Sequence, residues 1–430
     1  MRSSLKMRVI CMLLSLFMLI VPVVAGGSTE SKAAASSGPV HIKIATWTSN
    51  PDQIALLQSF VDEFAAKEGI EINAEFESIE FGEYNTKLSL ELQGSQAPDV
   101  FWVLETSAPA FIASGLLAPL DEALAEYNPE DFSAKAMELW QNGGTTYAVP
   151  FSTSPFFMIY NADLFAAAGI ETPDQLAAEG NWNWDTFRAA SKAIKDATGV
   201  WGYQTVDGGG YDVRILHNLC PIIRSYGGDA WTNDGQILIN SPESAEAVQL
   251  FHDMVYVDGS VVPPGDQSDF FSGAAAMTAA QVSRVSKLSD VDFAWGVAPM
   301  PAGPMGDVPV TGQAGIGAYS KGPNVEIAKK LVAYMTNEEC VARMAGIWPP
   351  ARYSVLESPD FLTSQPLLTA DQMAAAVGGS IETGRVLPSH VMYPQIEVES
   401  RIVWDRLWNP NADVQAVLDG VAEVYAKYIK

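Results

Sequence analysis

The stretch Tyr147–Phe165 reads YAVPFSTSPFFMIYNADLF, an apolar strand-like start, a Ser/Thr/Pro break, a second apolar strand, and then the opening of a helical pattern. Pro150 has no amide hydrogen to donate, so a ladder there ends or lies at a sheet edge, and Pro155 repeats the restriction five residues later. A strand that changes its surroundings halfway is what a segment passing between two lobes requires. Asn161 or Asp163 is placed to cap the helix containing Leu164, Phe165 and Ala168, which Gly169 closes before Thr172-Pro173.

Upstream, Val40–Ala45 alternates as a strand and runs through Trp47-Thr48-Ser49-Asn50 into a helix from Gln53 to Lys67, spaced by Ile54, Leu57, Phe60, Val61 and Phe64. A strand at Glu71–Phe76, a helix at Tyr84–Gln93 and the continuous apolar strand Asp99–Leu104 (DVFWVL) follow. Such a run suits a strand covered on both faces, and the alternation gives an α/β fold with a mostly parallel sheet. Ligands collect beyond the carboxyl ends of such strands, which here are Thr48-Ser49-Asn50 and Glu105-Thr106-Ser107.

Downstream, helices are expected from Trp184 to Ala197 and from Ser241 to Val257, and a loop at Val206–Gly210. A strand is expected at Phe293–Ala298, Pro/Gly punctuation at Met300–Val308, a returning Gly-rich strand at Thr311–Ala318 and a helix at Val325–Met335. A turn at Trp348-Pro349-Pro350 and a last helix from Asp413 to Tyr428 complete the pattern. The expected organisation is a first lobe of residues 40–153 and 312–348 and a second of 154–311 and 349–430, giving three crossings.

Met1–Ala25 places Arg2, Lys6 and Arg8 before the apolar run Val9–Val24, which reads as a secretory signal peptide. An uncleaved anchor is the alternative. Cys11 lies inside the run, where it cannot serve as a lipid-anchored cysteine at the cleavage point. Residues 26–39 read as a flexible leader. Without Met1–Ala25 the chain keeps 25 − 3 = 22 Lys+Arg against 51 Asp+Glu, a formal charge of 22 − 51 = −29. Nucleic acid and anionic membranes are thereby disfavoured as partners. Cys220 and Cys340 fall in different lobes and are expected to be free, buried thiols.

His41, His217, His252 and His390 are scattered, with no HExxH, Cys-x-x-Cys, nucleophile elbow or phosphate-binding loop. No metal, cofactor or nucleophilic chemistry is expected. A two-carboxylate glycosidase using Glu105 stays open as the enzyme alternative. Carbohydrates need flat aromatic platforms beside polar groups. Trp47, Trp231, Trp348 and Tyr393 are candidates, whereas Trp102 and Trp295 are assigned to the core. Arg352, just past the prolines, is a candidate for holding hydroxyls or a carboxylate.

Besides Tyr147–Phe165, several stretches occur in a telling order: Ala97-Pro98-Asp99-Val100, Gly115–Asp121, Asn183–Phe187, Gly227-Gly228-Asp229, Phe270–Met277 (FFSGAAAM), and Gly312–Ser320 before Ala328-Lys329-Lys330. From about Val40 to Lys430 the chain resembles the family-1 bacterial extracellular solute-binding proteins, which include maltose and glycerol-phosphate binders. The resemblance implies the two-lobed type II periplasmic binding protein fold, each lobe a mostly parallel sheet flanked by helices with the ligand cleft between them, and a monomer closing on a sugar and presenting it to the permease of an ABC transporter. By motif position it implies contacts from Ser49, Asn50, Glu105, Thr106, Ser154, Ser283, Arg284 and Gly315. Maltose binders carry carboxylates in the first loop and at the crossing, where this chain has Asn50 and Ser154. A cleft with fewer acids, and with Arg284, Arg352 and Arg385 near it, would also suit a uronide or a phosphorylated polyol.

Overall fold

The computed structural model describes residues 38–430 apart from 95, 207–209 and 213. The signal peptide and nearly all of the leader, and most of the Val206–Gly210 loop, lie outside the described residues.

The first sheet contains β1 (Val40–Thr46), β2 (Ile72–Ser78), β3 (Val100–Leu104) and, much later in the chain, two long hinge strands. After β3, the short hairpin of β4 (Gln141–Asn142) and β5 (Thr145–Thr146) precedes β6 (Ala148–Pro155) and β7 (Phe157–Asn161). Then come β8 (Met277–Ala280), β9 (Trp295–Ala298) and β10 (Thr311–Ala318). The five-stranded sheet has the order β2-β1-β3-β10-β6, with β1 parallel to β2 and β3, and β10 antiparallel to both its neighbours. β6 is an edge strand, as Pro150 requires. β3, buried by side chains on both faces, shows why DVFWVL is continuously apolar.

The second sheet has the order β8-β7-β9 and corrects the expectation of a mostly parallel sheet in each lobe: β7 is antiparallel to both neighbours. The cause is topological. β7 continues β6 after the single residue Phe156, so it enters the second lobe already running against strands laid down by local crossovers.

One buried cluster joins Ile44, Phe60, Trp102 and Leu331 around the first sheet and continues to Ile159, Val285 and Val297 beside the second, and another joins Met158, Phe187, Ile222 and Trp404. Cys340 belongs to the first and Cys220 to the second; both are free thiols, as expected. Helices fall close to the periodic stretches, with Asn161 capping Ala162–Ala168, Ser241 capping Pro242–Tyr256 and Asp413 capping Val414–Tyr428.

Past Pro349 the chain goes on packing against elements that precede it. The helix Tyr353–Leu356 packs on Glu338–Met344 of the first lobe, and Val355, Phe361 and Leu368 join the first core. The chain returns through a helical stretch, Ala370–Thr383, wound between residues 373 and 378 as a wider π turn and packed against β6, β7 and β9.

Arg352 is accordingly not a cleft residue but a buried tie of the first lobe. It is 1% exposed and donates to the carbonyls of Thr336 (2.7 Å), Asn128 (3.1 Å) and Tyr127 (2.9 Å). It also reaches Asp131 at 3.2 Å and lies 3.9 Å over the Phe132 ring. Removing it takes the donor from three carbonyls and, among the described residues, leaves the Asp131 carboxylate with only its bonds from Ser354. Arg352→Ala is expected to lower unfolding stability by about 3 kcal/mol or more, read from urea midpoints. A loss under about 1 kcal/mol would mean that the tie is a surface pair.

Candidate functional site

The carboxyl ends of β1 and β3, the hinge strands β6 and β10, the helix Ile215–Tyr226 and the turn after β8 converge on a cleft of about 330 Å³. Its first wall is built on the loop after β1. The Asn50 side-chain oxygen accepts from the Asp52 and Gln53 amides (2.9 and 3.2 Å), capping the helix Pro51–Glu68. The Thr48 carbonyl accepts from the hydroxyls of Thr46 (3.2 Å) and Ser78 (2.6 Å). These bonds hold Trp47 at the mouth of an aromatic stack. Its ring meets Trp102 edge-on at 4.7 Å, and Trp102 meets Trp348 at 5.3 Å. Trp47 and Trp348 line the cleft, while Trp102 lies beneath them in the core. Edge-to-face pairs of this kind contribute about 0.5–1.5 kcal/mol each beyond burial and fix the tilt of the two faces.

The back wall is the hinge ladder. Ser152 faces Ala314 and Ser154 faces Gly312, and these four residues line the cleft with Gln313. A side chain at Gly312 would collide with the Gln281 amide, whose nitrogen donates to the Ser154 carbonyl at 2.8 Å. The Ser154 hydroxyl is buried without a hydrogen-bond partner among the described residues.

The second wall comes from the helix Ile215–Tyr226 and the turn after β8. Pro221 inside the helix lacks the amide that would bond the His217 carbonyl one turn earlier. His217 Nε2 lies 3.7 Å from Glu105 Oε1, and the Arg214 guanidinium lies 4.2 Å over the Phe81 ring; both contacts bridge the lobes. Burial holds the His217 imidazole below its ordinary value, with the Glu105 carboxylate opposing and the charges of Arg214 and Arg224 adding to the depression.

Of the residues expected from sequence, Trp47, Thr48, Ser49, Asn50, Glu105, Ser154, Ser283, Arg284 and Trp348 come together on this cleft. Five do not. Thr106 is buried ahead of the helix Ala108–Ala113, off the cleft wall. Gly315 abuts Trp140, whose ring would lie 2.6 Å from an added Cβ, so the glycine serves packing. Trp231 and Tyr393 line a separate cavity of about 20 Å³ in the second lobe beside Tyr425, because the helices there close over their rings. Arg352, the fifth, is the buried tie of the first lobe.

Sequence reading missed Arg214, His217, Gln281, Ser286 and Lys287, all on the second wall. A signal was present for two of them. Val282–Asp290 reads Val-Ser-Arg, Val-Ser-Lys, Leu-Ser-Asp, an apolar–serine–charge triplet matching the three residues per turn of the 3₁₀ helix it forms.

A family model described as bacterial extracellular solute-binding protein matches residues 48–340, and the chain belongs to that family. A binding protein of Brucella abortus is 27% identical over 259 residues, 56% of this chain and 58% of its own length, so the match spans little more than half of that relative. The arabinooligosaccharide-binding protein of Bacillus subtilis is 22% identical over 353 residues, covering 78% of this chain and 77% of its own. Among solved structures, an ABC substrate-binding protein from Listeria monocytogenes in complex with cycloalternan superposes with TM-score 0.79 at 23% identity, over 91% of this chain and 99% of that one. The GacH receptor of Streptomyces glaucescens, solved unliganded and with acarbose, gives 0.76 at 21%, with the same coverage. The fold is thus that of the two-lobed type II periplasmic binding proteins.

The depressed His217 value sets a pH dependence. The unfolded chain takes up the imidazole proton as pH falls through about 6.5, while the folded protein does not until lower pH. Stability contributed by the neutral imidazole is therefore present above that window and lost as pH falls through it. Between about pH 7 and 5 the wild-type melting temperature should fall more steeply than that of His217→Gln. Parallel curves would show that the imidazole is not held neutral.

Proposed function

We propose that the protein is the extracytoplasmic substrate-binding component of an ABC importer, capturing a mono- or oligosaccharide by hinge closure and delivering it to the membrane permease. The observation that carries the proposal is the cleft in which Trp47 and Trp348 stand beside Glu105, Ser152, Ser154 and Gln313. Aromatic faces suit sugar C–H surfaces, and the polar groups suit hydroxyls. Ligand contacts from both walls favour the closed state, which makes capture a two-state equilibrium. The names of relatives agree: arabinooligosaccharide-binding in Bacillus subtilis and maltotriose-binding in Pyrococcus abyssi.

The proposal includes export through Met1–Ala25 to the periplasm or cell exterior, without a lipid anchor, and a monomer that binds no nucleic acid and no cofactor. Among the described residues no helix is long and apolar enough to cross a membrane. Turnover is not part of the proposal. A glycosidase needs two carboxylates about 5–9.5 Å apart, and Glu105 is the one acidic side chain among the described residues lining the cleft.

The test combines thermal melting with small-angle scattering against neutral and acidic mono- and oligosaccharides. A bound sugar at 100 times Kd should stabilise the fold by about 2.7 kcal/mol, reduce the radius of gyration and leave the sugar unchanged. Trp47→Ala should weaken binding by about tenfold, the equivalent of one aromatic contact. A sugar consumed during the measurement, or stabilisation without contraction, would overturn capture by closure.

A further inference from the structure

Carbohydrate capture leaves the class of carbohydrate open, and any assignment of that class rests on the capture reading. The chain has 51 Asp+Glu against 25 Lys+Arg, yet the charges lining the cleft run the other way. Among the described residues they are Arg214, Arg284 and Lys287 against Glu105 alone. Solubility does not explain this inversion, because the acids already provide it over the rest of the surface.

The cations are also placed in order. In the triplet segment Val282, Val285 and Leu288 are buried, so one row of the 3₁₀ helix is anchored in the core. The serines and the charged residues then form two further rows. Ser283, Arg284, Ser286 and Lys287 all line the cleft, whereas Asp290, the acid of the third triplet, does not. Two hydroxyls and two cations thus repeat at one-turn spacing along a single wall; the Ser286 hydroxyl donates to the Ser283 carbonyl at 3.4 Å and Lys287 Nζ lies 4.7 Å over the Phe271 ring, contacts that an anionic ligand would compete with. Guanidinium, ammonium and hydroxyl groups together match an oxyanion rather than a neutral ring. Deeper in the same cleft, the Ser154 hydroxyl and His217 Nδ1 are buried without hydrogen-bond partners among the described residues.

We propose that the ligand is an acidic carbohydrate whose anionic group, a carboxylate, phosphate or sulfate, is held by Arg284 and Lys287 with the hydroxyls of Ser283 and Ser286 donating. The neutral part of the sugar lies towards Trp47 and Glu105, where the carboxylate accepts from ring hydroxyls. Arg214, across the cleft mouth on Phe81, adds positive potential without needing direct contact.

The experiment is calorimetric titration of protein freed of any carried ligand by unfolding and refolding. The probes are trigalacturonate against its fully methyl-esterified, uncharged form, and glucose 6-phosphate against glucose, at about 50 and 500 mM NaCl, concentrations that shift the screening length severalfold. The acidic member of at least one pair should bind about tenfold or more tightly than its neutral partner, with a preference that shrinks in high salt. Which pair responds separates a carboxylate from a phosphate ligand. Arg284→Gln with Lys287→Gln should abolish the preference while the variant still unfolds cooperatively; should that variant not fold, the salt dependence of the unaltered protein decides. Equal or tighter binding of the neutral sugars overturns the acidic assignment and leaves carbohydrate capture standing. Binding of none of the four overturns the acidic assignment alone, and carbohydrate capture is then decided by the wider panel of sugars in the melting and scattering test.

Discussion

The antiparallel pairing of β6 with β10 is the constraint on which the remainder depends. It runs from Thr311 opposite Pro155 to Gly317 opposite Ala148, with a register shift between Ala314 and Gly315, where Pro150 offers no amide. β6 carries the chain out of the first lobe and β10 carries it back, so two crossings form one ribbon. The Phe156 amide, bonded to the Val310 carbonyl at 2.9 Å, extends that ribbon to the edge of the second lobe. Any change in the angle between the lobes would therefore twist a hydrogen-bonded strip rather than swing on loose loops. The glycines of β10 make the strip thin: Trp140 packs against Gly315 and Leu117 against Gly317, where any Cβ would collide.

The same ribbon is the back of the cleft, which couples mechanics to recognition. Ser152, Ser154 and Gln313 present polar groups from the strands that join the two sheets. The walls they join differ in character. One is a rigid aromatic stack held by a capped helix; the other is a nine-residue 3₁₀ helix and a proline-containing helix bearing most of the charge. The lobes already touch at Glu105 with His217 and at Phe81 with Arg214, so the two walls face each other at contact distance.

Much of the fold was legible because it follows local rules. The helices Tyr84–Gln93 and Val325–Met335 and the strand Thr311–Ala318 lie where periodicity and glycine content place them. The first wall was legible too, since ligand loops follow strand ends in α/β sheets. The second wall was not. Pro221 disguises the helix bearing His217, and a nine-residue 3₁₀ helix is longer than such helices usually run. Arg352 was misplaced because prolines marked a turn but not its destination. Only the tertiary partners Tyr127, Asn128, Asp131 and Thr336 show that the chain stays in the first lobe. The antiparallel second sheet escaped for a related reason: strand direction there is inherited from the hinge.

The two buried thiols bear on where and how the chain can fold. Burial pushes Cys220 and Cys340 up to about 12, so almost no thiolate exists at neutral pH. They sit in separate hydrophobic clusters, so among the described residues neither is joined to the other. The packing of residues 38–430 therefore does not wait on a bond between these two sulfurs, and a reducing medium would leave both clusters as they are.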